Sequence, residues 1–145
     1  MRLIIDANIL FSALIKDSLT AKIIVDERLK LYAPEFLFEE VAKYEDYLLK
    51  KTKRTRNDFK SFYILLKQKI SIIPKEEINP YIKKAMDFSP DPKDTVYLAL
   101  SLAINCAFWS NDKELKEKQD LVKILTTEEI LNKFGILNNG KIKQN

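Results

Sequence analysis

Apolar and polar positions fall into two kinds of block along the chain. Short apolar runs close with a turn former or an acid: LIID (3–6), KLYAP (30–34), ISIIP (70–74), CAFWS (106–110) and VKILT (122–126). Runs of this length, rich in β-branched and aromatic residues, predict buried strands. Between them lie longer blocks with apolar residues at helical spacing. NILFSALIKD and SLTAKIIVDERL predict two helices, with Asn8 and Ser18 as N-caps. EFLFEEVAKYEDYLLKK predicts one helix, with Phe36, Val41, Tyr44 and Leu48 near one face. TRNDFKSFYILLKQK, EEINPYIKKAMDF, DPKDTVYLALSLAIN, DKELKEK and TEEILNKF predict the remaining helices, Pro80 leaving the bounds of its own segment open. Strands that alternate with helices predict an α/β fold, a parallel sheet covered on both faces. Ligands of such sheets bind beyond the carboxyl ends of the strands. The polar tail after Phe134 predicts fraying.

Length changes this picture little: 145 residues fit one domain that buries its core without disulfides. Cysteine usage agrees, since Cys106 is the sole cysteine and reads as a small buried hydrophobe. No apolar run approaches the roughly 18 residues of a membrane span, and Asp6 interrupts the first run before it can serve as a secretion signal. The expectation is a cytoplasmic protein with no membrane partner.

Two absences restrict the chemistry. The chain has no histidine, which removes histidine-based nucleophilic schemes and histidine-ligated zinc. Its two glycines, Gly135 and Gly140, both lie near the end. Glycine-rich phosphate loops and the nucleophile elbow are therefore excluded from the body of the chain. Carboxylates, lysines and hydroxyls remain. The net charge of +4 leans toward polyanionic partners.

The acids then carry the argument. Asp6 ends a buried strand, and no cation adjoins it in sequence except Arg2 at the strand's other end. It is either a turn or cap residue or one that needs a metal ion to offset desolvation. In SPDPKDTVYLAL, Asp91 reads as a helix cap with Pro92 behind it. Asp94 heads a helix so apolar that its mouth is partly desolvated. In CAFWSND the opening pattern repeats, an apolar strand followed by Ser110, Asn111 and Asp112. Asp112 is an N-cap or a second site acid. Glu39 and Glu40 compete on one helix, Glu40 standing nearer its apolar face. Several acids brought together without a cation raise one another's pKa, and hard Mg²⁺ or Mn²⁺ ions take oxygen ligands.

These segments, IIDANILFSAL, LYAPEFLFEEVAKY, DPKDTVYLALSLA and CAFWSNDKEL, resemble in order and spacing the PIN-domain nucleases, particularly the VapC-like toxin branch. The resemblance covers residues 1–137 and leaves 138–145 as a polar tail. It implies a three-layer α/β/α sandwich around a central, mainly parallel sheet, and a metal-dependent endoribonuclease. It maps the family's catalytic acids onto Asp6, Glu40, Asp94 and Asp112, with Asp6, Asp94 and Asp112 holding Mg²⁺ or Mn²⁺. Asn8 and Ser110 are implied as supporting residues, Ser110 standing where many relatives have threonine. RNA is the implied substrate, and an antitoxin protein and a second copy of the chain are the implied partners.

The basic stretch LLKKTKRTRNDFK places Lys50, Lys51, Lys53, Arg54 and Arg56 at a helix–helix junction. It reads as a solvated loop or a phosphate clamp for RNA. Lys113 and Lys116 lie just beyond Asp112. Tyr44, Tyr47, Phe59 and Phe62 are candidates for base stacking or for packing. Two rival readings stand beside the nuclease. One is a non-catalytic nucleic-acid- or protein-binding module. The other is an aspartyl phosphatase, which asks for an Asp where Asn8 stands.

Overall fold

A computed structural model describes residues 1–15 and 19–135. β1 (Arg2–Ile5) is followed by α1 (Ala7–Ile15), α2 (Leu19–Ile24) and β2 (Lys30–Pro34). α3 (Phe36–Lys43), α4 (Glu45–Lys51) and α5 (Arg56–Lys69) lead to β3 (Ile70–Ile73). α6 (Lys75–Ile78), α7 (Ile82–Phe88) and α8 (Thr95–Ile104) lead to β4 (Ala107–Trp109). α9 (Lys113–Lys118), β5 (Ile124–Leu125) and α10 (Thr127–Phe134) complete the described chain. The Ser18 cap and the tail fall outside the described residues.

The five strands form one parallel sheet in the order β3-β2-β1-β4-β5. Side chains alternate across it and divide the core in two. Leu3, Ile5, Leu31, Ala33 and Trp109 point to the face covered by α1–α5 and α10, while Ile4, Phe108 and Ile124 point to the face covered by α6–α9. The result is a three-layer α/β/α sandwich. α8 is buried on most sides, as its composition predicts. With glycine scarce, Asn105 takes the left-handed position that ends α8, at φ 49°, a conformation asparagine tolerates better than most residues.

Three local expectations are corrected. The helix predicted over 35–51 is two helices, broken at Tyr44 (φ −104°, ψ 13°) without glycine or proline. Glu45 and Asp46 then supply the first-turn acids that favour a fresh helix start. The N-cap of α1 is Asp6, whose Oδ1 accepts from the Ile9 N–H at 2.9 Å; Asn8 lies inside the helix. Cys106 is half-buried rather than fully buried.

Candidate active site

β1 lies between β2 and β4, and the chain leaves β1 toward one side of the sheet and reaches β4 on the other. The crevice at the carboxyl ends of β1 and β4 is thus the topological switch point, where open parallel sheets bind ligands. Asp6 follows the last residue of β1, and Ser110 the last of β4. Ile5 pairs with Trp109 in register, so the two strand ends are level.

Four acids converge there. Asp6, Glu40, Asp94 and Asp112 line one cavity of about 520 Å³. Each arrives from a separate element. Asp6 caps α1 and Asp112 caps α9, its Oδ1 accepting from the Leu115 N–H at 3.2 Å. Asp94 closes the 3-10 turn Pro92–Asp94 at the mouth of α8. Glu40 projects from α3 into the cavity while Glu39 is exposed outside it, so the cavity lining settles which of the pair belongs to this space. Asp6 and Asp112 therefore cap their helices and line the cavity at once. An N-cap fixes the carboxylate and leaves it oxygen lone pairs to spare.

Ser110 ties two of these acids together. It is buried, its Oγ accepts from the Asp112 N–H at 3.2 Å, and its hydroxyl favours the charged form of the neighbouring Asp6 carboxyl. The loop is anchored further by Asn111, whose amide accepts from the Thr127 N–H at 2.8 Å and donates to the Thr127 hydroxyl at 2.9 Å. The Trp109 indole N–H donates to the same hydroxyl at 3.0 Å.

The electrostatics mark the cavity as short of positive charge. Burial, with a smaller push from Asp112, raises the Asp6 carboxyl from 3.8 to about 6, although the Ile9 N–H and Ser110 oppose the shift. Burial likewise raises Asp94 to about 6, helped by the charges of Asp112, Asp91 and Asp6. Burial also holds the Tyr97 phenol well above the usual tyrosine range, and Asp6 and Glu40 add to the effect.

The donors are hard oxygens, a set suited to Mg²⁺ or Mn²⁺. Among the described residues no three acidic side chains are grouped so as to hold a metal ion as they stand. They rim the cavity instead of closing on one point. Since one water takes about 30 Å³ in the liquid, the space suits an ion with its waters and a phosphate. The excess of acidic over basic side chains on the cavity wall fits a cation in both sign and place.

Of the supporting pair, Asn8 is exposed on the cavity wall. The basic candidates are not on that wall. Lys51, Lys53 and Arg56 are exposed around the α4–α5 junction, and Lys113 is exposed at the start of α9. Arg54 is structurally committed. Its guanidinium lies 4.1 Å from the centre of the Phe62 ring and donates to the Ala13 carbonyl at 3.4 Å, capping the end of α1.

The sequence reading missed the lysines that do line the cavity, Lys43 and Lys93. Lys43 is one helical turn from Glu40, a spacing that gives a shared face. Asp91 also lines the cavity while its Oδ1 caps the 3-10 turn, accepting from the Lys93 N–H at 3.0 Å. Tyr97 is one turn beyond Asp94. Its ring stacks on Phe108 at 5.6 Å.

Fold and site together define a parallel α/β protein with an acidic crevice at the switch point of its sheet. Residues 4–134 match the family model described as PIN domain, and the chain belongs to the PIN-domain family. PIN domains are nucleases and generally use divalent metal ions. Among solved structures, the chain is similar to one in the crystal structure of VapBC2 from Rickettsia felis bound to a DNA fragment from their promoter. That match has a TM-score of 0.62 at 14% identity, covering 87% of this chain and 98% of the other. The sequence matches no curated protein. Among the described residues no helix is long and apolar enough to cross a membrane.

Proposed function

We propose that the chain is a Mg²⁺- or Mn²⁺-dependent endoribonuclease of the VapC-like type, hydrolysing RNA phosphodiester bonds in the crevice between β1 and β4. The observation that carries the reading is the convergence of Asp6, Glu40, Asp94 and Asp112 on one cavity at that crevice. Asp6 is the central ligand, and Asp94 and Asp112 hold the cation directly or through water. A divalent ion bound there supplies Lewis acidity toward phosphate oxygens and water.

The chain's own residues do the rest. Ile9 and Ser110 keep the Asp6 carboxylate aimed at the crevice. Glu40 orients the attacking water and accepts its proton. Lys43 and Lys93 offset phosphate charge, and Asn8 hydrogen-bonds to a phosphate oxygen. Phe11, Phe36 and Tyr97 give the cavity apolar walls that strengthen these interactions by excluding water. An antitoxin protein is the partner this reading implies, supported by the complex in which the similar structure occurs.

The test is cleavage of an RNA panel by the native chain and by Asp94→Asn, with divalent ion and with EDTA. Cleavage with Mn²⁺ that stops on chelation and falls at least about 100-fold in the variant is expected, the scale of losing one transition-state electrostatic contact. One observation favours a non-catalytic binding module: no three acids are grouped to hold an ion as they stand among the described residues. That reading predicts RNA binding with no cleavage under any metal.

A further inference from the structure

A second cavity, mainly apolar and about 440 Å³ in volume, adjoins the acidic one and shares Asn8, Phe11 and Tyr44 with it. Its walls come from α1, through Phe11, Ser12 and Ile15, and from the α3–α4 break, through Tyr44 and Tyr47. The break sets these rings outward: Tyr44 is 41% exposed and Tyr47 is 49% exposed. Phe59 and Phe62 are spoken for, Phe59 being fully buried and Phe62 lying beneath Arg54. Tyr44 meets Phe11 in a T-shaped contact at 5.8 Å and 75°. A lysine flanks each tyrosine, with Lys43 Nζ 5.5 Å from the Tyr44 ring centre and Lys51 Nζ 5.7 Å from that of Tyr47.

We infer that this cavity is a nucleobase subsite, taking one unpaired base of an RNA strand whose adjoining phosphate lies among the carboxylates. The inference rests on the ribonuclease reading above and specifies its substrate as single-stranded at the cleavage point. Three features select this occupant. The cavity shares Asn8, Phe11 and Tyr44 with the acidic one, so a phosphodiester held there carries its neighbouring base to these rings. Aromatic walls accept the flat face of any base, and only an unpaired base presents that face. The Asn8 amide, exposed on the shared wall, can give one N–H to the phosphate and still offer its oxygen and second N–H to a base edge. Lys43 and Lys51 complement a polyanion, whereas an amphipathic helix needs an extended groove with anchors repeated over several turns.

The test is fluorescence anisotropy of labelled oligonucleotides with the full chain in EDTA, where no metal-dependent cleavage takes place. Single-stranded RNA is expected to bind at least about tenfold more tightly than an abasic strand of equal length or an RNA duplex, in line with the usual worth of one stacked base. The Tyr44→Ala/Tyr47→Ala double variant should remove that preference, and Tyr44→Phe/Tyr47→Phe should keep it. Equal binding of abasic and base-bearing strands by the native chain overturns the inference, and this comparison needs no variant. A double variant that keeps the preference but changes oligomeric state also overturns it, marking the face as an interface between copies. The ribonuclease reading fails separately: a chain that discriminates bases in EDTA but never cleaves RNA with Mn²⁺ retains the subsite and loses the activity.

Discussion

Asp6 and Asp26 sit at opposite ends of the same sheet, and their surroundings are opposite too. Asp26 lies at the amino end of β2, where the Lys30 N–H donates to the Met1 carbonyl. Arg28 clasps it twice, Nε to Oδ1 at 3.0 Å and Nη2 to Oδ2 at 2.8 Å. Those hydrogen bonds hold the Asp26 carboxyl down at about 2. Asp6, at the carboxyl end of β1, receives only neutral donors and faces another acid, and burial pushes it up to about 6. An aspartate kept for structure comes with its cation. An aspartate that lacks one, on the wall of a cavity lined by other carboxylates, is what the proposed cation site asks for.

Breaking the uncompensated end should have the largest effect. In Asp6→Asn the Ile9 cap survives, because the amide oxygen still accepts the backbone N–H. Metal-dependent cleavage is expected to fall by about 1,000-fold or more, measured as initial rates on a single-stranded RNA, with unchanged far-UV circular dichroism. Wild-type activity in this variant would sink the assignment. Mn²⁺ should raise the melting temperature of the native chain at pH 7.5 and leave that of Asp6→Asn unmoved, since only a ligand of the native state stabilises it.

The two aspartates also predict opposite responses to pH. Burial raises the Asp6 carboxyl above its ordinary value in the folded chain, so its contribution to stability is full below about pH 4 and disappears as pH rises through 6. A carboxyl moved from 3.8 to about 6 makes a difference of about 3 kcal/mol over that window. Asp94 acts in the same direction. Asp26 has the reverse sign, contributing above about pH 4 and losing that contribution as pH falls toward 2. Denaturant titrations of metal-free native chain and Asp6→Asn should therefore diverge between pH 4 and pH 7, the variant being the more stable at pH 7. Parallel curves would show that Asp6 is not desolvated.

How much of this was legible follows from which signals are local. The strands, the all-parallel sheet and the positions of Asp6 and Asp112 are readable because an apolar run ending in an acid needs only neighbouring residues to be seen. Helical phase puts Glu40 nearer the apolar face but leaves it in competition with Glu39, and only the cavity lining separates the two. The break at Tyr44 is not, because no glycine or proline marks it and the apolar periodicity runs through it. Asn8 was a reasonable cap by residue type, yet Asp6 two positions earlier has the same capacity and is the residue used. Arg54 read as part of a surface charge run, and only the approach of Phe62 and the end of α1 shows its structural use. Lys43, Lys93 and Asp91 join the site through tertiary placement, which residue type alone does not encode.

Ser110 sharpens the comparison, since it is the neutral donor standing where Arg28 stands at the other end. Ser110→Ala leaves the Asp112 N–H without its acceptor and Asp6 without a hydroxyl. A loss of about 10- to 100-fold in Mn²⁺ affinity by calorimetry is expected, the usual range for residues that orient metal ligands. Ser110→Thr keeps the hydroxyl and should recover most of the affinity. A Thr variant as weak as Ala would show that packing of the buried side chain, and not its hydrogen bond, is what matters.

The smallest effect belongs to the compensated end. Arg28 is exposed, and its pair with Asp26 is a surface salt bridge of a kind that contributes little. The guanidinium also sits 4.6 Å from the centre of the Phe134 ring and donates to the Phe134 carbonyl at 3.2 Å, so it fastens the end of α10. Arg28→Ala should lower the melting temperature by no more than a few degrees and leave Mn²⁺ affinity and cleavage unchanged. Arg28→Lys should recover part of the charge contact but not the paired hydrogen bonds to both carboxylate oxygens. A melting temperature that moves in this variant as far as in the pH titration of Asp6 would mean that the amino end carries uncompensated charge as well. The contrast between the two aspartates would then no longer identify the functional end of the sheet.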